Sequence, residues 1–215
     1  MSVTTLDRPK QPVPKEFLGR ARLVLQAIAL ASDQINTAAQ AVFAPLGSRC
    51  QRNQPLSAAD LKTARDTWKR LMPEYGLLSS HIEQRIAPKR LQITELRVSS
   101  GQYHKHSWNN DVREHALMIK RVTLVAEKHH AECPAPTIVV IGLHALARWF
   151  QRSPDTSEAR LFSDLHQIAR RFDDLLETAS NTPDRRWHCR TQRGRAWWGE
   201  VRTEDRQLLV VDTYK

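Results

Sequence analysis

The first third of the chain has the apolar periodicity of helices. Apolar residues recur at three- and four-residue spacings, and proline-bearing stretches such as residues 45–55 interrupt them. Ser57 and Asp60 have the spacing of a capping box, which indicates a helix start. The pattern predicts three helices, over residues 15–42, 57–72 and 74–86.

The pattern changes from helical to alternating after Pro88. Residues 91–98 alternate between apolar and polar positions, which predicts a strand. Residues 102–114 are polar and aromatic and are expected to form an exposed loop. Residues 115–127 fit a helix or a strand, and their β-branched members favour a strand near the end. A short apolar run follows at residues 137–141.

The last third of the chain predicts two helices and then three strands. An amphipathic helix is expected over residues 143–152, ended by Pro154, and a longer one over residues 157–179. The strands are predicted at residues 186–191, 195–203 and 207–213, with turn residues between them.

These elements predict an α+β fold, with an N-terminal helical part followed by a small α+β unit that carries a C-terminal antiparallel sheet. The predicted organisation is a flexible arm at residues 1–14, a helical region at 15–90, a strand and loop connecting region at 91–136 and a basic α+β module at 137–215.

Charge is the unusual property of the composition. The 215 residues include 33 lysines and arginines against 23 acidic residues, a formal net charge of +10. Such a field favours polyanionic partners: RNA, DNA, an acidic protein or an anionic membrane surface. Of these we expect nucleic acid, and RNA before DNA. No apolar run has the length of a membrane span or a secretory leader, so no membrane partner is expected. Three widely spaced cysteines are typical of a reducing, cytoplasmic compartment.

The predicted helix at residues 143–152 carries a histidine and two arginines at four-residue spacing. His144, Arg148 and Arg152 would share one face, opposite an apolar face. Phosphodiester cleavage can use an imidazole that moves a proton and guanidiniums that hold the phosphate. The same spacing also fits a solvated basic face with no chemistry.

The segment His144-Ala-Leu-Ala-Arg148, followed by Arg152, a second helix and three strands, resembles ribonuclease-toxin domains of the barnase–EndoU–colicin–RelE-like fold. The resemblance covers residues 137–215. It implies that His144 is the acid/base, that Arg148 and Arg152 bind phosphate, and that Thr213 or Tyr214 supplies a hydroxyl. It also implies metal-independent RNA cleavage by general acid/base transesterification, with no cofactor, and a neutralising protein partner.

A second group of candidate residues lies in the predicted C-terminal strands. Arginines and tryptophans are interleaved there, and such residues on strands can clamp phosphates and stack unpaired bases. Trp197 and Trp198 would point to opposite faces of a strand, so only one of them is available for stacking. The candidate nucleic-acid-binding residues are Arg186, Trp187, Arg190, Arg193, Arg195 and Trp198.

Three functions are compatible with these patterns. The first is an RNA-targeting, toxin- or effector-like endoribonuclease. The second is a non-catalytic nucleic-acid-binding protein, regulatory or associated with a mobile element. The third is an adaptor that docks an acidic protein. No metal site is predicted, because the donors His104, His106, His129, His130 and Cys133 have no recognised ligand spacing.

Overall fold

The computed structural model describes residues 12–71, 79–87, 90–107, 110–191, 194–202 and 208–215. The helices of these residues are α1 (Lys15–Gln51), α2 (Ala58–Leu71), α3 (Leu143–Arg152), α4 (Glu158–Arg170) and α5 (Phe172–Ser180). The strands are β1 (Ser79–Ala87), β2 (Arg90–Ser107), β3 (Asn110–Glu127), β4 (His130–Glu132), β5 (Thr137–Gly142), β6 (Arg186–Arg190), β7 (Ala196–Arg202) and β8 (Leu208–Tyr214).

The strands form one mixed sheet in the order β1-β2-β3-β5-β8-β7-β6, with β4 paired to β3. Neighbouring strands are antiparallel except β5 and β8, which are parallel, with Val139 opposite Leu209. The predicted α+β class and the N-terminal helical part are confirmed. The C-terminal strands, however, belong to a mixed sheet that begins at Ser79, rather than to a small antiparallel sheet of their own.

Two predictions are wrong in the region that β1, β2 and β3 occupy. The helix predicted over residues 74–86 is a strand from Ser79 to Ala87, and residues 72–78 lie outside the described part of the chain. The loop predicted at residues 102–114 is strand up to Ser107 and again from Asn110. Cross-strand pairing overrides the polar composition here, because the long β2–β3 hairpin supplies backbone partners along its whole length.

Helix α1 is longer than the apolar pattern predicts. It continues past residue 42 and includes Pro45, so the connector predicted at 45–55 begins only after Gln51. Proline removes one helical hydrogen bond, but burial of Val42 and Leu46 on either side of Pro45 favours continuing the helix. The predicted capping box of α2 is confirmed, because Asp60 Oδ2 accepts from the Ser57 amide at 2.7 Å.

Helix α1 joins two apolar cores. Its N-terminal half packs with α3, α4, α5 and the central strands, around residues such as Leu25 and Trp149. Its C-terminal half packs with α2 and the first part of β2, around residues such as Val42 and Leu91. The single helix predicted over 157–179 is two helices, because the backbone departs from helical geometry at Arg171.

Gly199 in β7 is required by close packing rather than by backbone freedom. A Cβ at this position would overlap the Val210 carbonyl oxygen and approach the Trp187 ring to 2.8 Å. We expect Gly199→Ala to lower the free energy of unfolding by about 2–3 kcal/mol, the cost of overpacking.

The matched control is Gly19→Ala in α1, where a Cβ meets nothing within 4 Å. It should raise the free energy of unfolding by about 0.5–1 kcal/mol, because alanine favours a helix. Urea unfolding monitored by circular dichroism measures both. Equal stability of the two variants would contradict this packing.

Candidate nucleic-acid interface

Helix α3 has the predicted bounds, but its three candidate residues do not share one exposed face. His144 is exposed, Arg148 is only 4% exposed and Arg152 is half-buried. The helix packs against both α1 and β8, so a residue that a single-sided amphipathic helix would expose is enclosed here. The Arg148 Nη1 donates to Gln151 Oε1 at 2.8 Å. Of the three residues, His144 is the exposed one.

The fourth candidate catalytic residue, Tyr214, is enclosed in the core. It is 2% exposed, and its ring lies 4.7 Å from that of Trp197. Its hydroxyl lies 3.4 Å from Thr191 Oγ1, and burial raises the pKa of Tyr214. The Tyr214 carbonyl accepts from Arg152 Nη1, so the C-terminal turn of α3 is tied to the end of β8.

The residues of β6, which include three candidates, alternate between exposed and buried positions. Trp187 and Cys189 point into the core, whereas Arg186, His188 and Arg190 are exposed. Trp187 is 2% exposed and its Nε1 donates to the Glu200 carbonyl at 3.2 Å, so it supports the sheet and is not accessible to a ligand. Arg193 lies outside the described residues.

Trp198 is the tryptophan on the open side of β7, and its neighbour Trp197 is fully buried. Its ring stacks on His188, with centroids 4.9 Å apart and planes 22° apart. The Lys215 Nζ lies 5.0 Å from the Trp198 ring centroid. The exposed side of these strands, comprising Arg186, His188, Arg190, Trp198 and Lys215, is called the basic-aromatic face below.

Charge is uneven along the basic-aromatic face. At one end, Arg186 Nε lies 3.9 Å from Asp184 Oδ2, and Glu200 is the cross-strand neighbour of Arg186. At the other end, Ala196 is the neighbour of Arg190 and exchanges two backbone hydrogen bonds with Lys215. Positive charge therefore collects at this second end.

A group of arginines lies beyond that second end, where α3 finishes. Burial lowers the pKa of Arg152, and the positive charges of Arg148 and Arg195 lower it further. Arg148, Arg152 and Arg195 are called the arginine cluster below. The sequence predicted these residues in two separate groups. The fold brings the end of α3 close to Arg195, because Arg152 donates to the Tyr214 carbonyl and the next residue, Lys215, pairs with Ala196.

Glu114 in β3 is a candidate residue that the sequence analysis does not identify. Its Oε1 accepts from the Leu143 amide at 3.0 Å, at the N-terminus of α3. A Cβ on Gly142 would lie 2.9 Å from the same oxygen, so the glycine leaves room for the carboxylate. Glu114 thus lies at the same helical turn as the exposed His144. Their separation of 30 residues left no local signal of this proximity.

Metal donors do not converge in the described part of the chain. No group of three histidine, cysteine, aspartate or glutamate side chains is close enough there to hold an ion. His130 Nε2 instead lies 3.5 Å from Glu132 Oε2 on the same short strand. The side chains of His104 and His106 lie outside the described set.

No family model, no curated protein and no solved structure matches this chain. Within the residues that the structure covers, no helix is both long and apolar enough to cross a membrane.

His166 in α4 has a pKa that its surroundings shift. Burial, aided by the charge of Arg170, lowers its pKa from 6.5 to about 4, and its Nε2 has no hydrogen-bond partner among the described groups. The unfolded chain therefore takes up a proton near pH 6.5, before the folded chain does. The part of the stability that depends on neutral His166 is present above pH 6.5 and is lost as the pH falls from 6.5 towards 4.

We expect His166→Leu to reduce this loss of stability between pH 6.5 and 4. The control His129→Gln, at an exposed histidine, should leave the loss unchanged. Urea midpoints at several pH values measure the effect. An unaltered pH profile in His166→Leu would show that His166 does not titrate differently in the two states.

Proposed function

We propose that the protein binds single-stranded nucleic acid, RNA in particular, on the basic-aromatic face. The observation that carries the proposal is the stack of His188, Trp198 and Lys215 on the open side of a sheet. A half-exposed aromatic ring on a strand can stack an unpaired base, as single-strand binders do. For a base to stack on Trp198, the flexible Lys215 side chain has to move from the ring, and it can then contact a phosphate.

The flanking cations suit the backbone of such a strand. Arg190 and Lys215 lie on either side of Ala196 in the sheet register, so a phosphate chain crossing the strands meets both. Arginine donates two parallel hydrogen bonds to phosphate oxygens, which lysine does not. The formal charge of +10 adds a long-range attraction that is independent of sequence.

Removing the stacking ring should weaken binding without removing charge. We expect Trp198→Ala to weaken the affinity for a labelled single-stranded RNA about 5- to 100-fold, the range of one base stack. Trp198→Phe should retain most of the affinity, because phenylalanine still offers a ring face. Fluorescence anisotropy measures these affinities. Equal binding by all three proteins, or tighter binding of duplex than of single strand, would contradict the proposal.

Reversing charge on the face should change the salt dependence. We expect Arg190→Glu combined with Lys215→Glu to reduce the slope of log affinity against log salt by about 1.4, since each single-strand phosphate contact contributes about 0.7. Arg22→Glu, at an exposed position of α1, is a control that reverses one charge away from the basic-aromatic face. If the control lowers the slope of log affinity against log salt equally per reversed charge, binding depends on net charge and not on the basic-aromatic face.

Metal-independent RNA cleavage is a second candidate function, favoured by the position of Glu114. An exposed imidazole and a carboxylate at one helical turn are the two kinds of group that transesterification needs. Arg152 would be the phosphate contact, because Arg148 is enclosed.

Cleavage of labelled RNA in EDTA tests this candidate. His144→Ala should lower the rate about 10²- to 10⁴-fold, the usual contribution of a general acid or base, while binding on the face persists. Binding without cleavage by the wild-type protein would reject catalysis and leave the binding function standing.

A further inference from the structure

We infer that the arginine cluster is a binding site for a single phosphate group, at the positive end of the basic-aromatic face. The inference deepens the proposed function and rests on it for the identity of the natural ligand, a nucleic-acid strand. The site itself is argued from the placement of three arginines. Arg148 and Arg152 are one helical turn apart in α3, Arg152 donates to the Tyr214 carbonyl, and the next residue, Lys215, pairs with Ala196 beside Arg195.

The other enclosed arginines of the described chain show what the cluster lacks. Arg97, 6% exposed, has the Glu95 carboxylate 3.4 Å away, and Arg160 has Asp164 at 3.0 Å. Buried cations are expected to be paired in this way, since burial without a counter-charge is costly. Arg148 is as deeply buried as Arg97, but it forms no ion pair with a carboxylate of the described residues.

The partners of the arginine cluster are neutral oxygens. Arg148 donates to the side-chain carbonyl of Gln151, and Arg152 donates to the backbone carbonyl of Tyr214. Among the described residues, no carboxylate forms an ion pair with Arg148, Arg152 or Arg195. Like charges therefore repel one another here, and an anion that entered would relieve that repulsion.

The three arginines differ in how accessible they are to a ligand. Arg195 is exposed and Arg152 is half-buried, so their free N–H groups can reach a ligand from solvent. Arg148 is enclosed behind them and contributes its positive charge. A tetrahedral phosphate accepts hydrogen bonds on several oxygens at once, and the planar guanidinium fork matches this geometry.

The cluster is positioned to act together with the stacking ring. Arg195 precedes Trp198 by three residues, about 10 Å along an extended strand. The Arg195 carbonyl accepts from the Thr191 amide at 2.7 Å, which fixes the turn that presents it. The two-residue alternation puts Arg195 on the side of Trp197 and Trp198 on the other side of the strand. A nucleic-acid strand that contacts both the arginine cluster and the Trp198 ring therefore passes around the end of the sheet, at the turn that Thr191 and Arg195 close.

Calorimetric titration with inorganic phosphate, against chloride at constant ionic strength, tests the site without any nucleic acid. Wild type should bind phosphate, and Arg195→Gln should weaken that binding about tenfold, the value of one charge-assisted hydrogen bond. Arg195 is exposed, so this variant should fold normally. Arg22→Gln, which removes the same charge from α1, should bind phosphate as wild type does. Loss of binding in both variants, or no binding by wild type, would overturn the inference.

Short oligonucleotides distinguish the source of the phosphate. If the site holds a strand terminus, a 5′- or 3′-phosphorylated oligonucleotide should bind more tightly than its unphosphorylated form, and Arg195→Gln should abolish the difference. If the site holds an internal phosphodiester, Arg195→Gln should weaken both forms equally. RNA binding that depends on Trp198 but not on Arg195 would overturn the phosphate site while sparing the proposed function. Phosphate binding that depends on Arg195, with no RNA binding, would support the phosphate site and overturn the proposed function.

Discussion

The parallel pairing of β5 with β8 is the contact on which the rest of the molecule depends. It joins the long β2–β3 hairpin to the C-terminal strands in one sheet, with Val140 opposite Val210. A parallel pair requires a crossover connection, and here the connection contains α3, α4, α5 and two further strands. Helix α3 starts directly after β5 and ends beside β8, so the register of one strand pair sets where Arg152 lies.

The helices bury one side of that sheet, so the side chains that a ligand can reach on these strands lie on the other side. The helices cover the face that carries Trp187, Trp197 and Tyr214, and these rings form the core. The opposite face of the C-terminal strands keeps Trp198 and its cations open. The division follows from the two-residue alternation of strands, which assigns neighbouring residues such as Trp197 and Trp198 to different environments. The same aromatic-rich segment thus contributes to stability and supplies a binding surface.

The sequence predicted the elements whose signals are local. The observed bounds of α3 are the predicted ones, and the Ser57–Asp60 capping box is confirmed. The three C-terminal strands begin and end within one residue of their predicted bounds. The strand predicted at 91–98 is confirmed, but the predictions of a helix at 74–86 and a loop at 102–114 are wrong. The described residues of both segments are polar strands, stabilised by cross-strand pairing that their composition does not signal. The candidate site was only partly predictable for the same reason. The alternation identified the face, but the burial of Arg148 and the approach of Arg195 to Arg152 depend on how α3 packs between α1 and β8.

Cross-linking of a 4-thiouridine-labelled single-stranded RNA, followed by peptide mapping, tests the central claim most directly. The account predicts adducts on Trp198 or its immediate neighbours in β6 and β8, and none on the buried Trp197. The fragment from Ala196 to Arg202 contains both tryptophans, so fragmentation within it separates the two outcomes. Adducts confined to α1 or α2, with none on the C-terminal strands, would contradict it.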